Sequence, residues 1–401
     1  MPHDVTALFA GIGGIELGLA RAGHQASLFC ENDPEAIAVL RHRFPDIPIV
    51  PDVKNVEQLL DAAPAESTLL TAGFPCTDLS QAGRTEGFAG TKSSLIRSVL
   101  ALLERRRFPS VLVENVPNWR VLHKGAYMRE ILDAFESLGY RWAYRTIDSL
   151  AFGIPQRRQR VFLYATLEGD PRRALFDGEE EPIMREYPIN EEAHGFYWTE
   201  GNRGLGWGEN CVPTLKGGSG LSIPSSPAIL MPNGRIVTPD IRDAEKLQGF
   251  PADWTSVDAV EDRDGDRRPF NHRRRWLLTG NAVNVAVSRW IGEQLNEAQQ
   301  FEGDLGQPLD PDGRLPSAAW FDGTTRYGVQ LGTWPVARQT KSLAEFLEFP
   351  PKLLSERATK GFYNRISKSS LRFKPGFREA VREHLARIRG AYESSERGVR
   401  A

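Results

Sequence analysis

Residues 9–14 read FAGIGG and close the apolar run at 5–9 (VTALF). Glycines in the turn after a first strand let a nucleoside-like cofactor approach the backbone closely. The spacing is not Gly-x-Gly-x-x-Gly, which favours S-adenosylmethionine over a dinucleotide. Glu31 follows a second run, 26–29 (ASLF), where a carboxylate suits ribose hydroxyls. Gly73-Phe74-Pro75-Cys76 comes directly after a third run, 67–72 (STLLTA). A cysteine in such a loop is either a small buried apolar residue or a nucleophile. Cys30 and Cys211 lack that setting and read as structural. Glu114-Asn115-Val116 follows a fourth run, 110–113 (SVLV). An acid there is either an exposed loop residue or a partner of Cys76. If these strand ends form one edge, a thiol and a carboxyl share a pocket beside a cofactor, as covalent catalysis requires.

Something must position those residues. Helical stretches at 93–105 and 126–138 separate the apolar runs. Alternating strands and helices predict an α/β domain over residues 1–167, with a doubly wound, mostly parallel sheet. An amphipathic helix at 282–299, within the 275–300 segment, is expected to complete it. Residues 168–234 are rich in Gly, Pro, Asn and Glu, so 168–274 reads as a small loop-rich region with a helix at 240–248. From 301 the chain is Pro/Gly-rich and reads as a linker, followed by a helical, basic stretch at 340–390; together 301–401 forms a C-terminal extension.

Composition narrows the class. Of 401 residues, 40% are hydrophobic and 25% charged, an ordinary globular balance that excludes general disorder. The formal net charge is −2, so a nucleic-acid partner must be held by local basic clusters. Three cysteines without a CxxC pair argue against a disulfide framework and a structural zinc site, and no metal is expected. No apolar run reaches the ~20 residues that span a membrane. The first residues lack a signal-peptide pattern, so a cytoplasmic protein is expected.

Six segments in order resemble the DNA (cytosine-5) methyltransferase family: FAGIGG (9–14), GFPC (73–76), ENV (114–116), QRRQR (156–160), DIRDAEKLQGFP (240–251) and GNAV (280–283). The resemblance covers about residues 5–297. Three positions depart from the usual pattern, with Thr77 for Gln, Leu79 for Phe and Ala282 for Ser. The resemblance implies a Rossmann-like, S-adenosylmethionine-dependent fold with a small target-recognition region. It implies that Cys76 attacks C6 of a cytosine and that Glu114 acts as an acid toward N3. Arg158 and Arg160 would hold the base O2 and nearby phosphate and lower the thiol pKa. The cofactor would contact Phe9, Gly11, Gly13, Glu31, Asn32, Asp52, Val53, Pro75, Leu95, Asn281 and Val283. A core-packing role suits Leu95 equally well.

The target base must leave the helix to be reached. The resemblance implies that the loop at 77–91 closes over it, with Gly83, Gly87 and Gly90 as hinges. DNA contacts are expected from Ser80, Gln81, Arg84, Gln156, Arg203, Lys216 and Arg273. Trp207 and Ser219 lie in the same recognition region. Residues 267–275 (RRPFNHRRR) read as a phosphate-contacting loop. From Lys352 to Arg378 there are eight basic residues and one acid, Glu356, interleaved with Phe362, Tyr363, Phe373 and Phe377. That mix is either a DNA-binding module or a pair of helices packed on the catalytic domain. The reading is a sequence-specific, monomeric bacterial DNA (cytosine-5) methyltransferase of restriction–modification type, with double-stranded DNA as substrate and a cognate endonuclease sharing its site. Its rivals are an RNA (tRNA) cytosine-5 methyltransferase, a catalytically silent DNA-binding relative, and a nicotinamide-dependent Rossmann enzyme.

Overall fold

The structure, a computed structural model, describes residues 2–74, 93–182, 185–217, 226–261, 265–297, 301–303 and 305–399. Strands β1 (Asp4–Leu8), β2 (Gln25–Cys30), β3 (Ile49–Val50), β4 (Leu69–Ala72) and β5 (Ser110–Asn115) pair in parallel, in the order β3-β2-β1-β4-β5. Helices α1 (Gly14–Arg21), α2 (Pro34–Arg43), α3 (Val56–Ala62) and α4 (Ser93–Arg105) connect them. The start of α2 is written locally: Asp33 caps it by accepting from the Glu35 and Ala36 amides, and Pro34 takes the first helical position.

Beyond α5 (Ala126–Ser137), strand β6 (Arg141–Asp148), the short β7 (Gln156–Arg157) and β8 (Gln159–Thr166) follow. β8 inserts antiparallel between β5 and β6. Leu102 and Leu103 of α4 and Ile131, Leu132 and Phe135 of α5 cover one face of the sheet. Ile15 and Leu19 of α1 cover the other, with Val287, Trp290 and Ile291 from a later helix at Val285–Asn296. The sheet is thus wound on both faces, as burial of parallel strands requires.

A second, five-stranded sheet uses β9 (His194–Phe196), β10 (Trp207–Glu209), β12 (Ala228–Leu230) and β13 (Ile236–Thr238), while β11 (Val212–Pro213) pairs with β7. Then come α6 (Ile241–Leu247), the hairpin β14 (Ala259–Glu261) and β15 (Arg267–Pro269), α7 (Arg274–Asn281) and α8 (Val285–Asn296). α8 lies so close to α1 that a Cβ on Gly18 would fall 2.7 Å from the Val285 carbonyl oxygen.

The chain after residue 300 departs from the expected linker and separate extension. β16 (Gln307–Pro308), β17 (Ala318–Phe321) and β18 (Arg326–Val329) join the large sheet antiparallel, in the order β16-β18-β17-β6, and bring it to ten strands. After α9 (Leu343–Phe346), strand β19 (Lys352–Leu353) completes the small sheet beside β13. Helices α10 (Glu356–Lys368) and α11 (Phe377–Val399) then cover that sheet. Phe362, Ile366, Phe377 and Val381 share one core with Phe196, Leu230 and Ile236. Strands of two to four residues in a Pro/Gly-rich stretch carry no readable period, so only pairing across the fold reveals them.

Candidate active site

The carboxyl ends of the parallel strands form one edge. After β1 the backbone enters the left-handed region at Phe9 (φ 54), Gly11 (φ 56) and Gly13 (φ 79). Glu31, just past β2, pins this turn. Its Oε2 accepts from the Gly11 amide at 2.7 Å, and its Oε1 accepts from the Asn32 and Asp33 amides at 2.8 Å each. Burial raises the Glu31 pKa, and those amide bonds oppose the rise. From behind, Trp254 Nε1 donates to the Ile12 carbonyl at 2.9 Å. A Cβ on Gly14 would sit 2.4 Å from the Val283 carbonyl oxygen, whereas one on Gly11 would meet nothing within 4 Å. The turn is therefore rigid behind and open in front, a cradle that fits a nucleoside cofactor. Asn32 is exposed, Asp52 half-buried with its carboxylate accepting from the Lys54 amide, and Val53 buried. The Cys30 thiol nearby is pushed up to about 12 by burial and by Glu31 and Asp52, so it stays protonated. Leu95 packs against the main core.

A Cβ on Gly73 would lie 3.8 Å from Glu114 Oε2 and 3.7 Å from Val283 Cγ2, so three of the sequence motifs converge. Phe74 meets Phe9 and Trp119 edge to face, at 6.4 and 5.7 Å between ring centres. Pro75, Cys76, Ser80, Gln81, Arg84 and the loop at 77–91 lie outside the described residues. Glu114 is the penultimate residue of β5 and is 7% exposed. β8 runs antiparallel beside it and brings Arg160 Nε to within 3.0 Å of Glu114 Oε1. Burial raises the Glu114 pKa, with Arg160 and then Arg158 pulling the other way. A carboxyl held toward its neutral form in a fixed orientation can donate a proton or a hydrogen bond.

Two expected substrate contacts take other roles. Arg158 is 1% exposed, and its Nη atoms donate to the carbonyls of Leu215 (3.0 Å), Gly280 (3.2 Å) and Ala282 (2.8 Å). Burial lowers its pKa well below the usual guanidinium range. Gln156 is fully buried: its Nε2 donates to Leu247 O and Gln248 Oε1, and its Oε1 accepts from the Leu215 amide. Through the Gln156 amide and the Arg158 Nη atoms, both residues tie the β7–β8 segment to the 280–282 turn, to residue 215 and to the end of α6, while the buried Arg158 Nε has no partner among the described residues. They position the site rather than touch substrate. The signal for this is in QRRQR itself, where burial alternates: residues 156 and 158 point inward, 157 and 159 outward.

Of the residues expected to meet DNA, Lys216 pairs with Glu200 and lies 4.2 Å from the centre of the Tyr197 ring. Asn281 is exposed beside Gly217, while Val283 is buried. Arg203 and Arg273 are exposed. The basic run at 267–275 is less available than its composition implies. Arg268 pairs with Glu35, Arg274 with Asp33 and Glu35, and the buried Arg275 with Glu245 and Asp253. Acids on or beside α2 and α6 thus neutralise three of its arginines, which no local reading shows.

The ten-stranded sheet, the glycine turn pinned by a second-strand acid and the carboxyl–guanidinium pair at the same edge define a Rossmann-like methyltransferase. A sequence model of the family described as C-5 cytosine-specific DNA methylase matches residues 4–196. The chain is 43% identical over 377 residues to the type II methyltransferase M2.BsuMI of Bacillus subtilis (strain 168), covering 91% of this chain and 93% of that protein. It is 27% identical to the type II methyltransferase M.DsaV of Dactylococcopsis salina over 72% of this chain and 84% of that one. The crystal structure of S. pombe Dnmt2 methyltransferase shares the fold, with a TM-score of 0.54 and 16% identity, over 74% of this chain and all of that one. The chain belongs to the C-5 cytosine-specific DNA methyltransferase family.

Proposed function

We propose that this enzyme methylates C5 of a cytosine flipped out of duplex DNA, at a defined site, with Cys76 as nucleophile. The observation that carries the reading is the buried Glu114 carboxyl, held by Arg160 at 3.0 Å beside Gly73, three residues before Cys76. Cytosine C5 is a weak nucleophile until a thiolate adds to C6. The Cys76 thiolate forms that bond, and Glu114 passes its proton toward N3 as charge develops there. Arg160 keeps the carboxyl aimed and adds positive charge at the edge. S-adenosylmethionine, when bound, supplies the methyl group that C5 takes. Loss of the C5 proton and expulsion of Cys76 then restore the ring and the free enzyme.

Phe9, Gly11, Gly13, Glu31, Asn32, Asp52, Val53, Asn281 and Val283 would hold the donor, with Glu31 taking the ribose hydroxyls. Arg203, Lys216 and Arg273, with Ser80, Gln81 and Arg84, would meet DNA, and those contacts offset the few kcal/mol that base flipping costs. Similarity to type II methyltransferases supports a restriction–modification role in the bacterial cytoplasm, as a monomer beside an endonuclease of the same specificity. Incubation with labelled S-adenosylmethionine, mixed-sequence duplex DNA and tRNA tests this. Label is expected on cytosine C5 of the duplex alone, falling by roughly 10^4-fold or more in Cys76→Ala. Label on tRNA alone, or full activity in the variant, would overturn the reading.

A further inference from the structure

The segment that joins α10 to α11 is sewn to the loop between β9 and β10. Arg365 donates from Nε to the Glu200 carbonyl at 3.1 Å and from Nη2 to the Trp198 carbonyl at 2.5 Å. Ser369 donates to the Asn202 carbonyl at 3.2 Å, and Lys374 Nζ lies 2.6 Å from Glu209 Oε2. Arg378 steadies the turn by donating to the carbonyls of Ser369 and Leu371. Segments about 165 residues apart in sequence thus form one surface.

Between them lies an open cleft of about 370 Å³. Leu205, Trp207, Leu371 and Phe373 give it apolar walls, and Glu209, Arg372 and Lys374 complete the lining. Within that lining Lys374 neutralises Glu209, and outside it Lys216 neutralises Glu200. Arg203, Lys368 and Arg372 are exposed cations for which no ion pair forms among the described residues. The surface connects with the catalytic edge, because Lys216 and Gly217 pack against Gly280 and Asn281. A concave surface with apolar walls, its one acid neutralised and Arg372 left as surplus positive charge matches a sugar–phosphate strand, whose deoxyribose is apolar and whose phosphates are anionic. A base sandwiched between the rings fits less well. His194 already stacks on Trp207 at 5.2 Å, and Arg378 already covers Phe373 at 4.8 Å.

We propose that residues 368–374 of the C-terminal segment, with the loop at 202–209, grip one backbone strand of the substrate duplex, Lys368 and Arg372 neutralising its phosphates. The proposal rests on duplex DNA being the substrate. It assigns the segment a positioning role, one that anchors the duplex while other residues read its bases.

The full-length enzyme, Arg372→Ala, Lys368→Ala and the double variant would be compared by KM for duplex DNA, kcat, site choice and salt dependence of DNA binding. Arg107→Ala is the control; this exposed cation lies before β5, at the opposite edge of the sheet. At about 0.1 M salt each substitution is expected to raise KM roughly tenfold and to lower the salt slope by about 1. That gap should narrow as salt rises, with kcat, site choice and cofactor affinity unchanged. Arg372→Lys should restore the slope. KM and slope matching Arg107→Ala would overturn the proposal, as would a change in which cytosine is methylated. Failure of the wild type to methylate any duplex would instead refute the substrate reading beneath it.

Discussion

The parallel half of the large sheet and the five-stranded sheet are built by opposite means. The first takes β1 to β5 from consecutive segments within residues 4–115, and its catalytic edge is the row of turns that end those strands. The second takes four strands from residues 194–238, closes with β19 at 352–353, and is roofed by α10 and α11. Chemistry is carried by short-range order, and the surface suited to the polymer by long-range assembly. The two meet through Arg158 and Gln156, which bond across from β7 and β8 to the 280–282 turn, Leu215 and Leu247.

If the two regions are separable, damage to each should stay local. Phe377 is fully buried, with ring centres 5.0 Å from Phe196 and 4.9 Å from Trp207. Phe377→Ala should cost about 3–5 kcal/mol of stability in urea unfolding. It should weaken DNA binding while calorimetry shows cofactor affinity retained; loss of both would break the comparison. Truncation before α10 would be a poorer probe, because it strips the roof from the small sheet and exposes Phe196 and Leu230.

Glu114→Gln should do the converse. Glutamine keeps an N–H donor but has no proton to give, so kcat should fall about a hundredfold with DNA affinity intact. Because burial raises the Glu114 pKa, the wild-type rate should decline as rising pH ionises that acid. This alkaline limb should be absent from the pH profile of the variant. A limb that survived would assign the titration to another group.

Glu16 gives the smallest effect and concerns the parallel half alone. Its Oε1 accepts from the Thr71 hydroxyl at 2.9 Å, its buried Oε2 has no partner, and burial pushes its pKa up to about 7. A raised carboxyl means the folded state holds a proton that the unfolded chain has released. That stability is complete below pH 4.5 and is lost as pH rises through about 7, by up to about 3 kcal/mol. Denaturant midpoints from pH 5 to 8.5 should show this decline in the wild type and a flatter profile in Glu16→Gln. Equal slopes would mean that the carboxyl is ionised throughout.

Much of the catalytic edge was legible in the sequence because each of its parts ends a strand. Gly11, Glu31, Gly73 and Glu114 each follow a short apolar run, and parallel pairing places such ends side by side. What escaped depends on partners far along the chain. Arg268, Arg274 and Arg275 look like a phosphate loop until α2 and α6 supply their acids. Arg158 looks like its neighbour Arg160, yet one guanidinium is wrapped in carbonyls and the other is set against a carboxyl. The tail's strands are too short to show a period, and Trp254 reaches the glycine turn from 242 residues away.

The late arrival of β17, β18, β19 and the two roofing helices has a consequence for synthesis on the ribosome. The N-terminal strands emerge first and find their neighbours almost at once, as nascent chains fold from that end. The five-stranded sheet must wait with β13 unpaired along one side and its apolar face bare until more than a hundred further residues have been made. Emergence of residues 352–399, rather than formation of the glycine turn, then sets the moment at which the small sheet is complete.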